Sequence, residues 1–497
     1  HKDNNLHPQI RSRALMELSA EEFIFYLEEK PPPQAIIDYA KNMSDLTNPH
    51  NWYSLARSIS PRKVIIHAGP TNSGKTYAAM EALRQGKSGV YLSPLRLLAQ
   101  EGYDKLSSKG VLCDLKTGQE MIQHEGATHL SCTVECLNPT KRIEVAVIDE
   151  MQNIADPERG WAWSAAFLGV AADEVHVCGD RSMVLIVQQL ASECEDIVEV
   201  RWYQRKLPLS LTEIVSDWSQ LRKGDAVITF TSSSLYSIKK EIESQTKLRC
   251  AMVYGSFPPK VRKLQAKWFN KLEDCDILVA TDAVGMGLNL NIGRIIFSTT
   301  RKFDGKRERN ITTSEILQIA GRAGRFGTRF EHGYVTCTNE EDFKYIREKW
   351  EEPLSDIPRA GIRVTHDLVM RTHEAYPQKT LTEVLKFLED HRKIDPKYFL
   401  VDLTRYHKLA KYIQKIPVIW KDRLAIVFNA TDSNSESDII LIRQFAWMCT
   451  RNRATLPKNL IKGEELNRRR APDRKFTDRL INQCKLLDLY LSLSTVI

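Results

Sequence analysis

The run Gly69-Pro-Thr-Asn-Ser-Gly-Lys-Thr76 restricts this chain more than any other stretch of it. It follows the apolar segment Val64–His67 and precedes the helix-like Tyr77–Arg84, so it reads as a loop joining a strand to a helix. The loop must turn backbone N–H groups toward phosphate oxygens, and glycine at 69 and 74 removes the Cβ that would obstruct them. The helix that follows adds partial positive charge at its N-terminus. Gly69, Pro70, Thr71, Asn72, Ser73, Gly74, Lys75 and Thr76 are therefore expected to cradle a nucleotide. Lys75 would reach the β- and γ-phosphates, and the Thr76 hydroxyl would take a Mg²⁺ coordination position.

A strand–loop–helix start implies a parallel sheet, and the surrounding sequence repeats that unit. Val64–His67, Gly89–Ser93, Val145–Asp149 and Glu174–Cys178 are short apolar strands, each followed by helix-like sequence. The rhythm restarts at Ala226–Thr231 and continues through Arg249–Tyr254, Ile277–Thr281, Ile295–Ser298 and Gly333–Thr338, with 202–224 as a linker leading into this second unit. Ahead of both, Ser19 is placed to cap a helix over Ala20–Lys30, which Pro31-Pro32-Pro33 ends. Beyond residue 350, Leu381–His391, Arg405–Ile416 and Ser437–Arg451 carry helix-spaced apolar residues, and Asn429–Ser437 reads as a polar loop. The fold class is α/β. Two parallel-sheet domains, 61–203 and 204–350, are expected between mainly helical regions at 1–60 and 351–497.

Composition permits this and narrows the partners little. At 497 residues the chain is too long for one core. It has no uncharged apolar run of about 18 residues to cross a bilayer. A formal charge of +8 is a mild hint of a polyanionic partner. The ten cysteines are scattered, and Cys132 and Cys136 lack a second Cys/His pair at zinc spacing, so a reducing compartment is expected and a metal site is not. The chain opens on His1, which points to a processed or truncated chain with any targeting peptide outside it.

Two further motifs define the chemistry. Val145-Ala-Val-Ile-Asp-Glu150 is a strand ending in two acids. A carboxylate there faces a Mg²⁺ held at the phosphate loop, which assigns Asp149 to the metal and Glu150 to polarising the attacking water. Gln318-Ile-Ala-Gly-Arg-Ala-Gly-Arg325 sets Arg322 and Arg325 three apart, on one face if helical. Alone, such a pair is usually a salt-bridged surface. Together with the other two motifs, it reads as a pair of arginine fingers offered across a cleft to a transferred phosphoryl group.

With these in place the chain resembles superfamily 2 helicases, which have two RecA-like domains. Ser93-Pro94-Leu-Arg96-Leu-Leu-Ala-Gln-Glu101 is similar to motif Ia, and Thr117-Gly118-Gln-Glu120 and Thr133-Val-Glu135 to the Ib-type segments. Cys178-Gly-Asp180 replaces motif III. Thr229-Phe-Thr231-Ser232-Ser233, then Tyr254-Gly255-Ser256, resemble motif IV. Ala280-Thr281-Asp282-Ala-Val-Gly285-Met-Gly287-Leu-Asn289 resembles motif V. The resemblance implies RNA contacts at Pro94, Arg96, Thr117, Gly118, Thr133, Glu135, Thr231, Ser232, Gly255, Ser256 and Thr281. It implies nucleotide contacts at Asp282, Gly285 and Gly287, and a catalytic role for Gln318 beside Lys75.

Asp149-Glu-Met-Gln152, Asp156-Pro-Glu-Arg-Gly-Trp-Ala-Trp163 and Ile295-Ile-Phe297 narrow the likeness to mitochondrial degradosome RNA helicases, relatives of the exosome-associated ones. That implies Mg²⁺ with ATP, and 3′→5′ unwinding of single-stranded or 3′-tailed RNA in the mitochondrial matrix. It also implies a partner 3′-exoribonuclease of the RNase II or polynucleotide phosphorylase type. With no aromatic-plus-Gln adenine-reading motif upstream of Gly69, other NTPs stay open as substrates.

Phe297–Phe303 and Lys306–Thr312 flank Asp304-Gly305 as a hairpin, in an interval where related helicases carry a strand-splitting one; this one is short, so a purely structural hairpin is the alternative. Lys408, Lys411 and Lys415 at helical spacing, and Arg468-Arg469-Arg470, are either solvated faces or phosphate contacts. Phosphate-gripping motifs do not reveal the sugar, so a DNA or RNA/DNA helicase or translocase is the alternative enzyme. A nucleotide-gated nucleic-acid scaffold is the alternative from another class.

Overall fold

The computed structural model describes residues 45–494 apart from 273, 286, 305–306, 326, 431–435 and 452–473. The helix expected over Ala20–Lys30, Met286, Gly305 and Arg468–Arg470 lie outside the described residues. The chain divides into two compact units. One comprises His50–Ile362 with Ile461–Asp488; the other comprises the first 49 residues, Arg363–Leu460 and Leu489–Ile497.

The first unit holds two parallel sheets. The eight strands of its first sheet are Lys63–Ala68 (β1), Gly89–Ser93 (β2), Cys113–Lys116 (β3), Met121–Ile122 (β4), His129–Thr133 (β5), Ile143–Ile148 (β6), Ala172–Gly179 (β7) and Ile197–Trp202 (β8). They lie in the order β4-β3-β5-β2-β6-β7-β1-β8, all parallel except β4. Central strands such as Val64-Ile65-Ile66 are buried on both faces, as helices on either side require. Lys75–Gln85 (α1) and Arg96–Ser108 (α2) are two of those helices, and α1 packs Ala79 and Leu83 inward.

The six strands of the second sheet are Leu209–Leu211 (β9), Asp225–Ile228 (β10), Cys250–Val253 (β11), Ile277–Ala280 (β12), Arg294–Phe297 (β13) and Gly333–Cys337 (β16). Their order is β9-β16-β13-β10-β12-β11, wholly parallel. Between β13 and β16 come an antiparallel hairpin, Arg301–Phe303 (β14) with Glu308–Asn310 (β15), and the helix Thr313–Ala320 (α3). The hairpin strands are shorter than the flanking segments read from sequence. Ile481, on the helix Arg474–Ser494, joins the core cluster on this sheet that contains Val227, Val279 and Tyr254.

Five strands of the two sheets escaped the sequence reading: β3, the two-residue β4, β5, β8 and β9. In β5 polar residues hide the pattern, because buried His129 and Ser131 are satisfied by the carbonyls of Leu83 and Ala99 at 2.9 and 2.6 Å; β3 alternates its charged residues, Asp114 and Lys116, with buried Cys113 and Leu115. β8 is an exposed edge, and β9 lies in the stretch read as a linker.

The second unit is mainly helical over its described residues, with helices at His366–Ala375, Leu381–His391, Thr404–Ile413, Trp420–Asn429 and Glu436–Arg451. The third ends at Ile413, so Lys415 leaves the helical spacing it was expected to share with Lys408 and Lys411. Among the described residues, no helix is long and apolar enough to cross a membrane.

Candidate active site

Parallel strands send their carboxyl ends to the same edge of a sheet, where ligands of open α/β sheets bind. The expected site residues of each sheet follow those ends. Residues 69–76 follow β1, Pro94 and Arg96 follow β2, Thr117 and Gly118 follow β3, and Thr133 closes β5 just before Glu135. Asp149 and Glu150 follow β6; Thr231 and Ser232 follow β10, Gly255 and Ser256 follow β11, and Thr281 and Asp282 follow β12.

The phosphate loop needs its glycines for stated reasons. A Cβ on Gly69 would lie 2.6 Å from the Tyr203 carbonyl oxygen, and Gly74 starts α1 at φ +90°. Lys75 is buried and donates to the Pro70 carbonyl at 3.1 Å. The Thr76 hydroxyl donates to Asp149 Oδ1 at 3.1 Å, and the Tyr91 hydroxyl donates to Asp149 Oδ2 at 2.9 Å. Burial first, then the neighbouring Glu150 charge, pushes the Asp149 carboxyl up to about 6, while Lys75 pulls it down. A hydroxyl and a carboxylate side by side are the hard oxygen donors that suit Mg²⁺.

Glu150 stands in the left-handed region at φ +51°, a costly position for a residue with a Cβ. Gln152 Nε2 donates to its Oε2 at 2.5 Å. Gln152 Oε1, the other end of that side-chain amide, in turn accepts from the Asp180 backbone N–H at 3.4 Å, which links Cys178-Gly-Asp180 to this carboxylate.

The second sheet brings Arg322 and Arg325 to a cavity of about 420 Å³ whose walls include Lys75, Thr76, Asp149 and Glu150. Gln318 lines a neighbouring cavity of about 690 Å³ with Thr71, Lys75 and Glu150. The arginines are not helical: α3 stops at Ala320, and Gly321 and Gly324 (φ +63°) turn the chain so that both follow the helix. Burial lowers the pKa of Arg322, while Glu150 and Asp149 oppose that shift. Its guanidinium donates to the Gly285 carbonyl, with Nε at 3.0 Å, and Arg325 donates to Asn289 Oδ1.

Motif V is thus attached to the arginine turn rather than laid on the phosphate loop. Gly287, at φ +76°, faces Leu95 of the first sheet's domain. Asp282 lines neither cavity; it pairs with Lys302 Nζ at 2.5 Å, and Lys302 also meets Glu315 at 3.1 Å. The hairpin base is thereby tied both to motif V and to the start of α3.

The expected RNA contacts sit in built turns. Arg159 donates to the Pro94 carbonyl at 2.7 Å and pairs with Glu135 at 2.6 Å. Arg96 lies 3.8 Å from Asp488. Thr117 closes a turn onto Glu120, Thr133 donates to Cys136 Sγ at 3.2 Å, and the Thr231 hydroxyl caps the helix Ser232–Gln245. The Thr281 hydroxyl accepts from the Ala283 N–H at 3.3 Å. Gly118 and Gly255 face open space. Sequence reasoning missed Tyr91, whose hydroxyl meets Asp149, since it stands in no recognisable motif.

Residues 49–203 match the model for the DEXQ-box helicase domain of Suv3, and 208–327 match the helicase conserved C-terminal domain. The chain is 41% identical to the mitochondrial DExH-box ATP-dependent RNA helicase DExH16 of Arabidopsis thaliana, over 91% of this chain and 79% of that one. It is 43% identical to the mitochondrial ATP-dependent RNA helicase SUPV3L1 of Homo sapiens, over 84% of this chain and 54% of that one. With SUV3 of Oryza sativa subsp. japonica, also named a mitochondrial ATP-dependent RNA helicase, identity is 41% over 82% of this chain and 70% of that one.

Proposed function

Since the chain belongs to the Suv3 family of mitochondrial ATP-dependent RNA helicases, we propose that it hydrolyses ATP, and other NTPs, to unwind RNA in the 3′→5′ direction, feeding a 3′-exoribonuclease in the mitochondrial matrix. The observation that carries the hydrolytic part of this reading is the shared cavity, lined by Arg322 and Arg325 of the second sheet's domain and by Lys75, Thr76, Asp149 and Glu150 of the first. Hydrolysis needs a held nucleotide, a placed water and compensation for developing charge, and this cavity offers a group for each.

Thr76 and Asp149 would hold Mg²⁺, which would supply neutralisation of phosphate charge. Glu150 polarises the attacking water, and Gln152 keeps its carboxylate turned into the cavity. Lys75 leaves the Pro70 carbonyl for a phosphate oxygen. Arg322 and Arg325 meet the charge that builds on the transferred group, and their grip requires the two parallel-sheet domains, 61–203 and 204–350, to close on it. The turns at Pro94–Arg96, Thr117–Gly118, Thr133–Glu135, Thr231–Ser232, Gly255–Ser256 and Thr281 form a track of hydroxyls and backbone N–H groups for phosphates and sugars.

The direct test is unwinding of 3′-tailed against 5′-tailed RNA duplexes, with and without ATP. ATP-dependent strand release from the 3′-tailed substrate alone is expected; release only from the 5′-tailed one refutes the direction. Adding an exoribonuclease of the RNase II or polynucleotide phosphorylase type should convert released strand to nucleotides faster than the nuclease does alone.

A further inference from the structure

The segment between β8 and β9 crosses from one sheet to the other along the phosphate loop. Tyr203 N–H donates to the Ala68 carbonyl at 2.8 Å, and the Tyr203 carbonyl is what a Cβ on Gly69 would strike. Two residues on, the Arg205 guanidinium spends its donors on backbone carbonyls drawn from three segments. Nε donates to Leu207 of its own segment at 2.9 Å, and one terminal nitrogen donates to Thr71 at 3.3 Å and to Gly321 at 2.9 Å. The other donates to Ala323 and, at 2.9 Å, to Gly324. Burial lowers its pKa, and with carbonyls as its partners the charge meets no carboxylate among the described residues.

Those carbonyls are a particular set. Gly321, Ala323 and Gly324 alternate with Arg322 in the turn after α3 and lead into Arg325, while Thr71 belongs to the phosphate loop. Asn72 Nδ2 adds a bond to the Gly321 carbonyl at 2.8 Å, and a Cβ on Gly321 would fall 1.7 Å from Thr71 Oγ1. The two loops are therefore in direct contact, and one planar fork of donors spans them. A lysine could supply the charge but not the fork, because its ammonium is a point donor on a flexible stem.

We propose that Arg205 is a positioning residue for hydrolysis: it sets the backbone turn that presents Arg322 and Arg325 against the phosphate loop. This rests on the reading of those two arginines as fingers. Arg205 acts through them, so its loss displaces them. A displacement of about 1 Å at a reacting centre costs on the order of 10²-fold in rate.

The test is steady-state RNA-stimulated ATP hydrolysis by the whole chain, as wild type, Arg205→Ala, Arg205→Lys, Arg322→Ala and the Arg205→Ala/Arg322→Ala double variant, with thermal melts alongside. Arg205→Ala should lower kcat by about 10²-fold and change KM for ATP far less. The double variant should fall well short of the product of the two single losses, since a displaced Arg322 that is already absent costs nothing further and only the share carried through Arg325 remains. A purely structural role would multiply the two losses, and that result overturns the proposal. Should Arg205→Ala fail to fold, Arg205→Lys carries the test: reduced kcat with retained KM supports the fork, and wild-type kcat overturns it. Wild-type kcat in Arg322→Ala would sink the finger reading itself, whereas wild-type kcat in Arg205→Ala beside an impaired Arg322→Ala sinks only the role of Arg205.

Discussion

Gln152 Nε2 and Glu150 Oε2 lie 2.5 Å apart, so the carboxylate assigned to the water is held by a side chain two residues further along its own turn. An amide supplies that bond without adding charge beside Glu150.

Glu150→Gln should keep nucleotide and RNA binding while turnover falls by several orders of magnitude, since the Mg²⁺ and phosphate contacts stay and water polarisation goes. Gln152→Ala should give a milder loss of kcat with ATP affinity kept. Single-turnover hydrolysis with parallel binding titrations separates the two effects. Turnover in Glu150→Gln equal to wild type would refute the assignment.

Arg322→Ala or Arg325→Ala should depress RNA-stimulated hydrolysis on the roughly 10³-fold scale of arginine fingers, with a much smaller change in ATP affinity. Arg322→Ala should be the worse of the two, because it strands the carbonyl of buried Gly285, whereas the Asn289 amide that Arg325→Ala frees lies exposed. Lost ATP binding with normal turnover at saturation would show the assignment to be wrong.

The His67 ring bonds to the Tyr203 hydroxyl and to His176 Nδ1, both at 2.8 Å, and burial, with His176 beside it, lowers its pKa from 6.5 to about 4. The unfolded chain therefore binds the proton between those values while the folded chain does not. Stability from this group is present above about pH 6.5 and drains away as pH falls toward 4, up to on the order of 3 kcal/mol. Urea midpoints measured from pH 7 to 4 should drop less steeply in His67→Gln than in wild type. Parallel curves would place the acid sensitivity elsewhere.

Ile481 is almost wholly buried against the second sheet, although it lies far beyond it in sequence. Ile481→Ala should cost about 2–4 kcal/mol by leaving a cavity beside Val227 and Val279. Because Tyr254 of the motif IV segment shares that cluster, RNA affinity should weaken along with stability. Denaturant unfolding and RNA titration check both, and an unaltered unfolding midpoint would remove Ile481 from the core.

What could be read from residue order follows from how each element is buried. Strands β1, β2 and β6 carry unbroken apolar runs such as Val64–Ile66 and Val145–Ile148, and β7 carries Val175, Val177 and Cys178, because helices cover both faces, so they announce themselves. The phosphate loop and Asp149-Glu150 were legible because their chemistry demands particular residues at particular spacings. β5 was not, since His129 and Ser131 look polar until their carbonyl partners are known. The helical reading of Arg322 and Arg325 gave way to Gly321 and Gly324, whose conformations depend on contacts made by other segments. Arg205 was invisible for the same reason: its partners are backbone atoms, and carbonyls leave no trace in residue identity.

The hairpin base has a thermodynamic consequence. Lys302 joins Asp282 of motif V to Glu315 at the head of the helix that leads into the arginine turn. Coupling between two binding events is reciprocal, so any factor by which a nucleotide alters the affinity of whatever presses on the hairpin returns unchanged as a factor on nucleotide affinity. A duplex pushed against β14 and β15 would then act as an effector of the phosphate site as well as its load. Lys302→Met should cut that link, leaving ATP affinity the same in the presence and absence of a duplex; an ATP affinity that still responds to duplex would place the coupling in other contacts.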